Sequence, residues 1–244
     1  MTQNIYDDQA FFEGYAQLGR SQFGLAGAPE WPSLKAMLNN VEGGRVVDLG
    51  CGYGWFCREA RELGAEDVLG LDVSEKMLAK ARSMTSDPGI RYVRQDLESL
   101  TLPENAFELA YSSLTLHYIV ALPALLDTVY RALSPGGSFV FSAEHPIYTA
   151  PSNPGWHIDE RGQKSWPVDG YQREGKRITN WFAEGVIKQH RTLGTYIRLL
   201  INAGFVIREL NEWGPSAEQI AAVPALAEEA ERPMLFLISV QKPR

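Results

Sequence analysis

From residue 45 to about 145 the chain alternates short, continuously apolar runs with longer stretches of helical period. The strand-like runs are Arg45–Leu49, Asp67–Asp72, Ile90–Asp96, Phe107–Ser112 and Ser138–Ala143. Helix-like stretches fill 54–64, 74–86 and 119–133 between them. In the second of these, Met77, Leu78 and Ala81 share one face behind Ser74, whose hydroxyl suits first-turn amides. Pro135-Gly136-Gly137 punctuates the last helix before the fifth strand. Apolar strands need cover on both faces, and parallel neighbours need helical crossovers. The pattern therefore predicts an α/β fold, a doubly wound parallel sheet.

Both flanks depart from this alternation. Asp8–Leu18 (DQAFFEGYAQL) reads as an amphipathic helix interrupted by Gly14. Residues 146–190 are rich in Pro, Gly and aromatic rings, among them Tyr148, Trp156, Trp166, Tyr171, Trp181 and Phe182. Within them ITNWFAEGVIKQH predicts a hairpin turning at Glu184-Gly185. An ordinary α/β connection is far shorter, so this segment is an insertion. Thr195–Ala203 then predicts a helix closed by Gly204. Phe205–Leu210 and Met234–Val240 are two further strands around a helix at 215–231. The expected organisation is one structural domain: a helical cover at 1–40, a ligand-binding core at 41–145, an aromatic-rich lid at 146–190, and the rest of the core sheet at 191–244.

Composition narrows the partners. Net charge is −7 over 244 residues, which disfavours a nucleic-acid partner. The N-terminus MTQNIYDDQ carries acids where a secretory signal carries bases, and no apolar run is long enough to cross a bilayer. The spacing of Cys51 and Cys57 fits neither a metal knuckle nor a disulfide framework. A cytoplasmic protein without a membrane partner is expected.

The chemistry begins at VVDLGCGYGWF, residues 46–56, where Gly50, Gly52 and Gly54 alternate directly after the first strand. Such a turn brings backbone amides close to a ligand. A dinucleotide fingerprint would require its third glycine where Trp55 stands. Asp72, closing the second strand, can accept both hydroxyls of a ribose, a role shared by nicotinamide and other adenosine sites. Gln95-Asp96-Leu97 discriminates: Asp96 can accept from an adenine amino group while the Leu97 amide meets a ring nitrogen.

Taken in order, DLGCGYG, GLDVS, RQDLESL and LSPGGSFVFS resemble the class I S-adenosylmethionine-dependent methyltransferases, especially the small-molecule enzymes with a type 11 methyltransferase domain. The resemblance covers about 40–145 and continues more loosely through HRTLGTYIRLLINAGF. It implies a Rossmann-like seven-stranded sheet in the order 3-2-1-4-5-7-6 with the last strand antiparallel. It implies S-adenosyl-L-methionine as methyl donor, S-adenosyl-L-homocysteine as product, and no metal. Carried over by position, Gly50, Cys51, Gly52 and Gly54 form the turn beneath the methionine part, with Asp48 orienting that turn or the ammonium. Asp72 takes the ribose hydroxyls, Val73 and Met77 lie near adenine, Asp96 and Leu97 read its edge, and Ser112 offers backbone to the methionine group. Three carboxylates suit the net cation at the methionine end and would repel a pyrophosphate.

Methyl transfer from a sulfonium is an in-line displacement, which depends chiefly on positioning and needs a base only for a protonated acceptor. His117, after the fourth strand, is a candidate base or a residue that positions an acceptor hydroxyl, or else holds the loop. Glu144 and His145 end the fifth strand at the same edge and either meet the acceptor or shape the turn before Pro146. His190 points into the pocket or caps the hairpin, and His157 is a surface or lid residue. Trp156, Trp166, Tyr171, Trp181 and Phe182 could enclose an apolar or aromatic small molecule, with Tyr6, Phe11, Phe12 and Tyr15 closing from the N-terminal side. Alternatively these rings pack on one another as a satellite core. The leading expectation is a methyltransferase, monomeric or homodimeric, acting on an O, N or C nucleophile. The alternatives are a nicotinamide-dependent oxidoreductase, disfavoured by Trp55 and Gln95-Asp96, and a non-catalytic S-adenosylmethionine-binding sensor.

Overall fold

A computed structural model describes residues 3–244; Met1 and Thr2, the first positions of the expected cover, lie outside the described residues. The strands β1 (Arg45–Leu49), β2 (Asp67–Asp72), β3 (Ile90–Arg94), β4 (Phe107–Ser113), β5 (Leu133–Glu144), β6 (Val206–Trp213) and β7 (Leu235–Gln241) form one sheet. Its order is β3-β2-β1-β4-β5-β7-β6, as the resemblance implies. β7 runs antiparallel to both of its neighbours, and the other pairs are parallel.

Helices α1 (Gln9–Tyr15), α2 (Trp31–Ala36), α3 (Trp55–Glu62), α4 (Glu75–Ser83), α5 (Leu122–Ala132) and α6 (Leu193–Asn202) surround the sheet. Adjacent residues of a strand point to opposite faces. Val46 therefore packs with Phe56, Ala60 and Leu78 of α3 and α4, while Val47 packs on the face covered by Leu126, Val129 and Leu200 of α5 and α6. Both faces are thus buried, and burying each such side chain contributes roughly 1.5–3 kcal/mol.

Several boundaries move for identifiable reasons. β3 stops at Arg94 because the Gln95 amide donates to the Asp72 carbonyl and the chain turns into a 3-10 segment capped by Asp96. β5 begins at Leu133, ahead of Pro135-Gly136-Gly137, because Gly136 and Gly137 pair with Lys242 beyond β7. The expected single helix at 215–231 is broken at Pro224 into Ala217–Ala222, a 3-10 turn and Ala227–Glu231.

The insertion holds a short helix at Pro146–Thr149, a two-residue ladder joining His157–Ile158 to Lys164–Ser165, and a hairpin of Gly175–Trp181 with Ala183–His190. The hairpin turns at Phe182, with φ of +56°, and not at Glu184-Gly185. Gly14 does not interrupt α1 either. A Cβ there would lie 2.7 Å from the Phe182 ring, so this glycine is the seat on which the hairpin tip rests.

Candidate active site

The floor of the site forms where β1, β2 and β4 end. The amides of Gly50 and Cys51 both donate to the Leu71 carbonyl, at 2.8 and 2.9 Å, tying the glycine turn to β2. Asp72 then receives two more amides: Gly52 on Oδ2 and Ser74 on Oδ1, each at 2.9 Å. Gly52 has φ of +52°, and a Cβ built on it meets nothing within 4 Å, so its face opens onto free space. Asp48 lies buried beneath the turn with the Cys57 thiol 3.3 Å from its Oδ2. Burial pushes the Asp48 carboxyl up to about 7 and that of Asp72 to about 6.

A single chamber of about 520 Å³ extends from this floor. Of the residues read as cofactor-facing, Asp48, Gly50, Cys51, Gly52 and Asp72 border it on one side, and Val73, Met77, Asp96 and Leu97 on another. At its far end it meets His117, Glu144 and Trp181, while Tyr15 borders it beside Tyr53 of the glycine turn. Gly54 does not border it: its φ of +70° serves the turn into α3, and a Cβ there would strike the Tyr92 hydroxyl. Ser112 also lies outside, its buried hydroxyl donating to the Leu49 carbonyl at 2.7 Å; Ser113, Leu114 and Thr115 form that wall instead.

Three further candidates stand away from the chamber. Glu144 and His145 are neighbours at a strand end, and alternation sends them to opposite sides. His145 meets Glu212 of β6 at 2.8 Å through Nε2 and accepts the Ile147 amide on Nδ1, capping the short helix. His190 braces the insertion between the Thr149 hydroxyl at 2.8 Å and the Tyr171 carbonyl at 2.9 Å. Trp156 packs edge-on against Trp166.

At the far end Lys188, which sequence reasoning passed over, places Nζ 2.5 Å from Oε1 of Glu144. Both side chains are buried, and Oε2 of Glu144 has no partner among the described residues. His117 accepts the Glu144 amide on Nδ1 at 3.4 Å. Burial pulls its pKa down to about 4, so the ring is neutral near pH 7. Arg20 and Glu30, a second missed pair, border the chamber near the glycine turn and are joined by two hydrogen bonds of 2.9 and 3.3 Å. Nothing in the local sequence marks either pair: Lys188 meets Glu144 across 44 positions, and Arg20 meets Glu30 only when the chain between them folds back.

Comparison with known proteins identifies the family. The Methyltransf_11 family, described as a methyltransferase domain, matches residues 47–141. An S-adenosylmethionine-dependent methyltransferase from Mesorhizobium loti, known from a crystal structure, is 58% identical and superposes with a TM-score of 0.87. It covers 89% of this chain and 100% of that one. The chain belongs to the S-adenosylmethionine-dependent methyltransferases. An uncharacterised Haemophilus influenzae protein is 35% identical over 98% of this chain and 97% of that protein. A malonyl-[acyl-carrier protein] O-methyltransferase from Pectobacterium atrosepticum is 37% identical over 109 residues, which span 45% of this chain and only 42% of that enzyme. The nicotinamide alternative is set aside.

The methyltransferase covers its chamber from two directions. Gln3 bonds both ways to the hairpin, donating to the Gly185 carbonyl and accepting the Ile187 amide, each at 2.9 Å. Phe11 of α1 meets Trp181 and Phe182 edge-on at 5.4 and 6.0 Å. On the other side the Arg232 guanidinium lies over Trp166 at 4.1 Å, Tyr148 at 4.8 Å and Trp156 at 5.4 Å. The rings therefore divide: Tyr15, Tyr148, Trp166 and Trp181 border the chamber, while Phe12, Trp156, Tyr171 and Phe182 pack elsewhere. Among the described residues no group of three or more His, Cys, Asp or Glu is placed to hold a metal, and no helix is long and apolar enough to cross a membrane.

Proposed function

We propose that this methyltransferase moves the methyl group of S-adenosylmethionine to the O, N or C nucleophile of a small molecule held beneath the insertion. One observation carries the reading: a single chamber joins the acidic floor at Asp48, Asp72 and Asp96 to a buried end walled by aromatic rings. The donor supplies a sulfonium whose methyl group is already activated. The residues fit it, since the open face of Gly52 leaves room for a close backbone approach and the floor is acidic where the ligand is a net cation.

In this reading Asp72 accepts the ribose hydroxyls, and Asp96 with the Leu97 amide reads the adenine edge beside Val73 and Met77. The turn at Gly50–Gly52, oriented by Asp48, lies under the methionine, and Arg20 offers its guanidinium to the methionine carboxylate. The aromatic walls exclude water and hold the acceptor in line with the methyl group, which is where most of the acceleration arises. A free small molecule is favoured over a carrier-linked acyl group because the N-terminal segment and the hairpin interlock beside the chamber, Gln3 with Gly185 and Ile187 and Phe11 with Phe182.

Calorimetric titration with S-adenosylmethionine, followed by labelled-methyl transfer over a metabolite library, tests this. Saturable binding and turnover of a free metabolite are expected. No binding of S-adenosylmethionine, or transfer only to carrier-linked substrates, would overturn it.

A further inference from the structure

Resting on that reading, we propose that the acceptor is a hydroxyl group whose proton passes to Glu144 while His117 donates a hydrogen bond to its oxygen. The polar groups at the inner end of the chamber are constrained by partners they already have. Lys188 occupies Oε1 of Glu144 and leaves Oε2 buried without a donor. A buried carboxylate oxygen in that condition costs free energy until a donor reaches it, so the site asks for an O–H or N–H. His117 is set the opposite way. Its Nδ1 accepts the Glu144 amide, so the neutral ring carries its proton on Nε2 and presents a donor.

One acceptor and one donor at the same end select among nucleophiles. A hydroxyl has a proton for Oε2 and two lone pairs, one for the His117 N–H and one for the methyl carbon. An amine has a single lone pair, and attack consumes it. A carboxylate has no proton to give and would bring a second negative charge beside Glu144. Tyr148, Trp166 and Trp181, whose rings are backed by Arg232 and Lys188, also border the chamber, and rings beside the reacting end suit a phenol or another ring-bearing alcohol. In the transfer the hydroxyl oxygen forms its bond to the methyl carbon as the carbon–sulfur electron pair goes to sulfur. The hydroxyl proton passes to Oε2 of Glu144 and then to solvent, leaving a methyl ether and a thioether.

Phenol, aniline and benzoate share one ring and differ only in the reacting group. Each is titrated by NMR into protein saturated with S-adenosylhomocysteine. Phenol is expected to bind at least about ten-fold more tightly than the other two. Glu144→Gln should weaken phenol by about ten- to a hundred-fold, the range for a hydrogen bond to a charged group, without changing affinity for S-adenosylhomocysteine. Because that variant leaves the Lys188 ammonium buried, the double variant Glu144→Leu/Lys188→Met is measured beside it and should lose the preference for phenol. Benzoate or aniline binding as well as phenol, no saturable phenol binding, or phenol affinity unmoved in these variants would overturn the proposal. Failure to bind S-adenosylhomocysteine would instead remove the cofactor reading beneath it.

Discussion

The end of the chamber proposed to hold the cofactor stands on strand ends whose polar groups bond within one continuous stretch of chain, whereas the end proposed for the acceptor is assembled from segments far apart. The Gly50 amide bonds the Leu71 carbonyl, and the amides of Gly52 and Ser74 both bond the Asp72 carboxylate, across two adjacent strands. Glu144, Lys188, His117, Trp181 and Arg232 come from four different parts of the fold, joined by ring contacts and one buried ion pair. Backbone amides on a sheet edge hold positions rigidly, because moving them would break the ladder beside them. Side chains on an insertion are free to change pocket shape without touching that ladder. The same fold can thus hold one donor and be refitted for different acceptors.

The contrast can be broken most sharply at Asp72. Asp72→Ala removes a carboxylate proposed to accept two hydroxyls and should weaken S-adenosylmethionine binding by about a hundred-fold or more in calorimetry. Undiminished affinity would mean the floor is misassigned. Gly14→Leu, a good helix former, drives a side chain into the Phe182 ring and should cost about 1–3 kcal/mol of packing between α1 and the hairpin. Its expected signature is a fall in methyl transfer with cofactor affinity kept; equal loss of both would show that the two ends are not separable.

The two ends should also titrate with opposite sign. Asp48 and Asp72 hold their protons to about pH 7 and 6 in the folded, ligand-free protein, against an ordinary value of 3.8. Their contribution to stability is present in full below pH 4 and is lost as pH rises toward 7. His117, lowered from 6.5 to about 4, contributes above pH 6.5 and loses that contribution as pH falls toward 4. Thermal melting from pH 4 to 8 should show Asp48→Asn flattening the first slope and His117→Gln the second. The smallest effect is expected at Gln3, which is exposed: Gln3→Ala removes two hydrogen bonds and should raise amide exchange in the hairpin with melting temperature nearly unchanged.

Much of the fold was legible because its signals are local. Apolar strand runs, the turn at Gly50–Gly54 and the acids at Asp72 and Asp96 all lie within one stretch, and the expected sheet order followed from the resemblance those motifs carry. The candidate site was legible at its floor and less so at its far end. His145 and His190 attract notice as buried histidines near a ligand edge, yet both serve as braces for the insertion. Lys188 drew none, since a lysine in a hairpin reads as solvated until its partner is known.

By itself the sequence determined the fold class, the family and the acidic floor, since periodicity and glycine spacing act over a few residues and need no distant partner. Tertiary structure alone decided that Glu144 and not His145 faces the chamber, that Lys188 occupies one of its oxygens, and that Phe182 rests on Gly14. Those outcomes depend on strand register and on contacts across the fold, which no local pattern encodes.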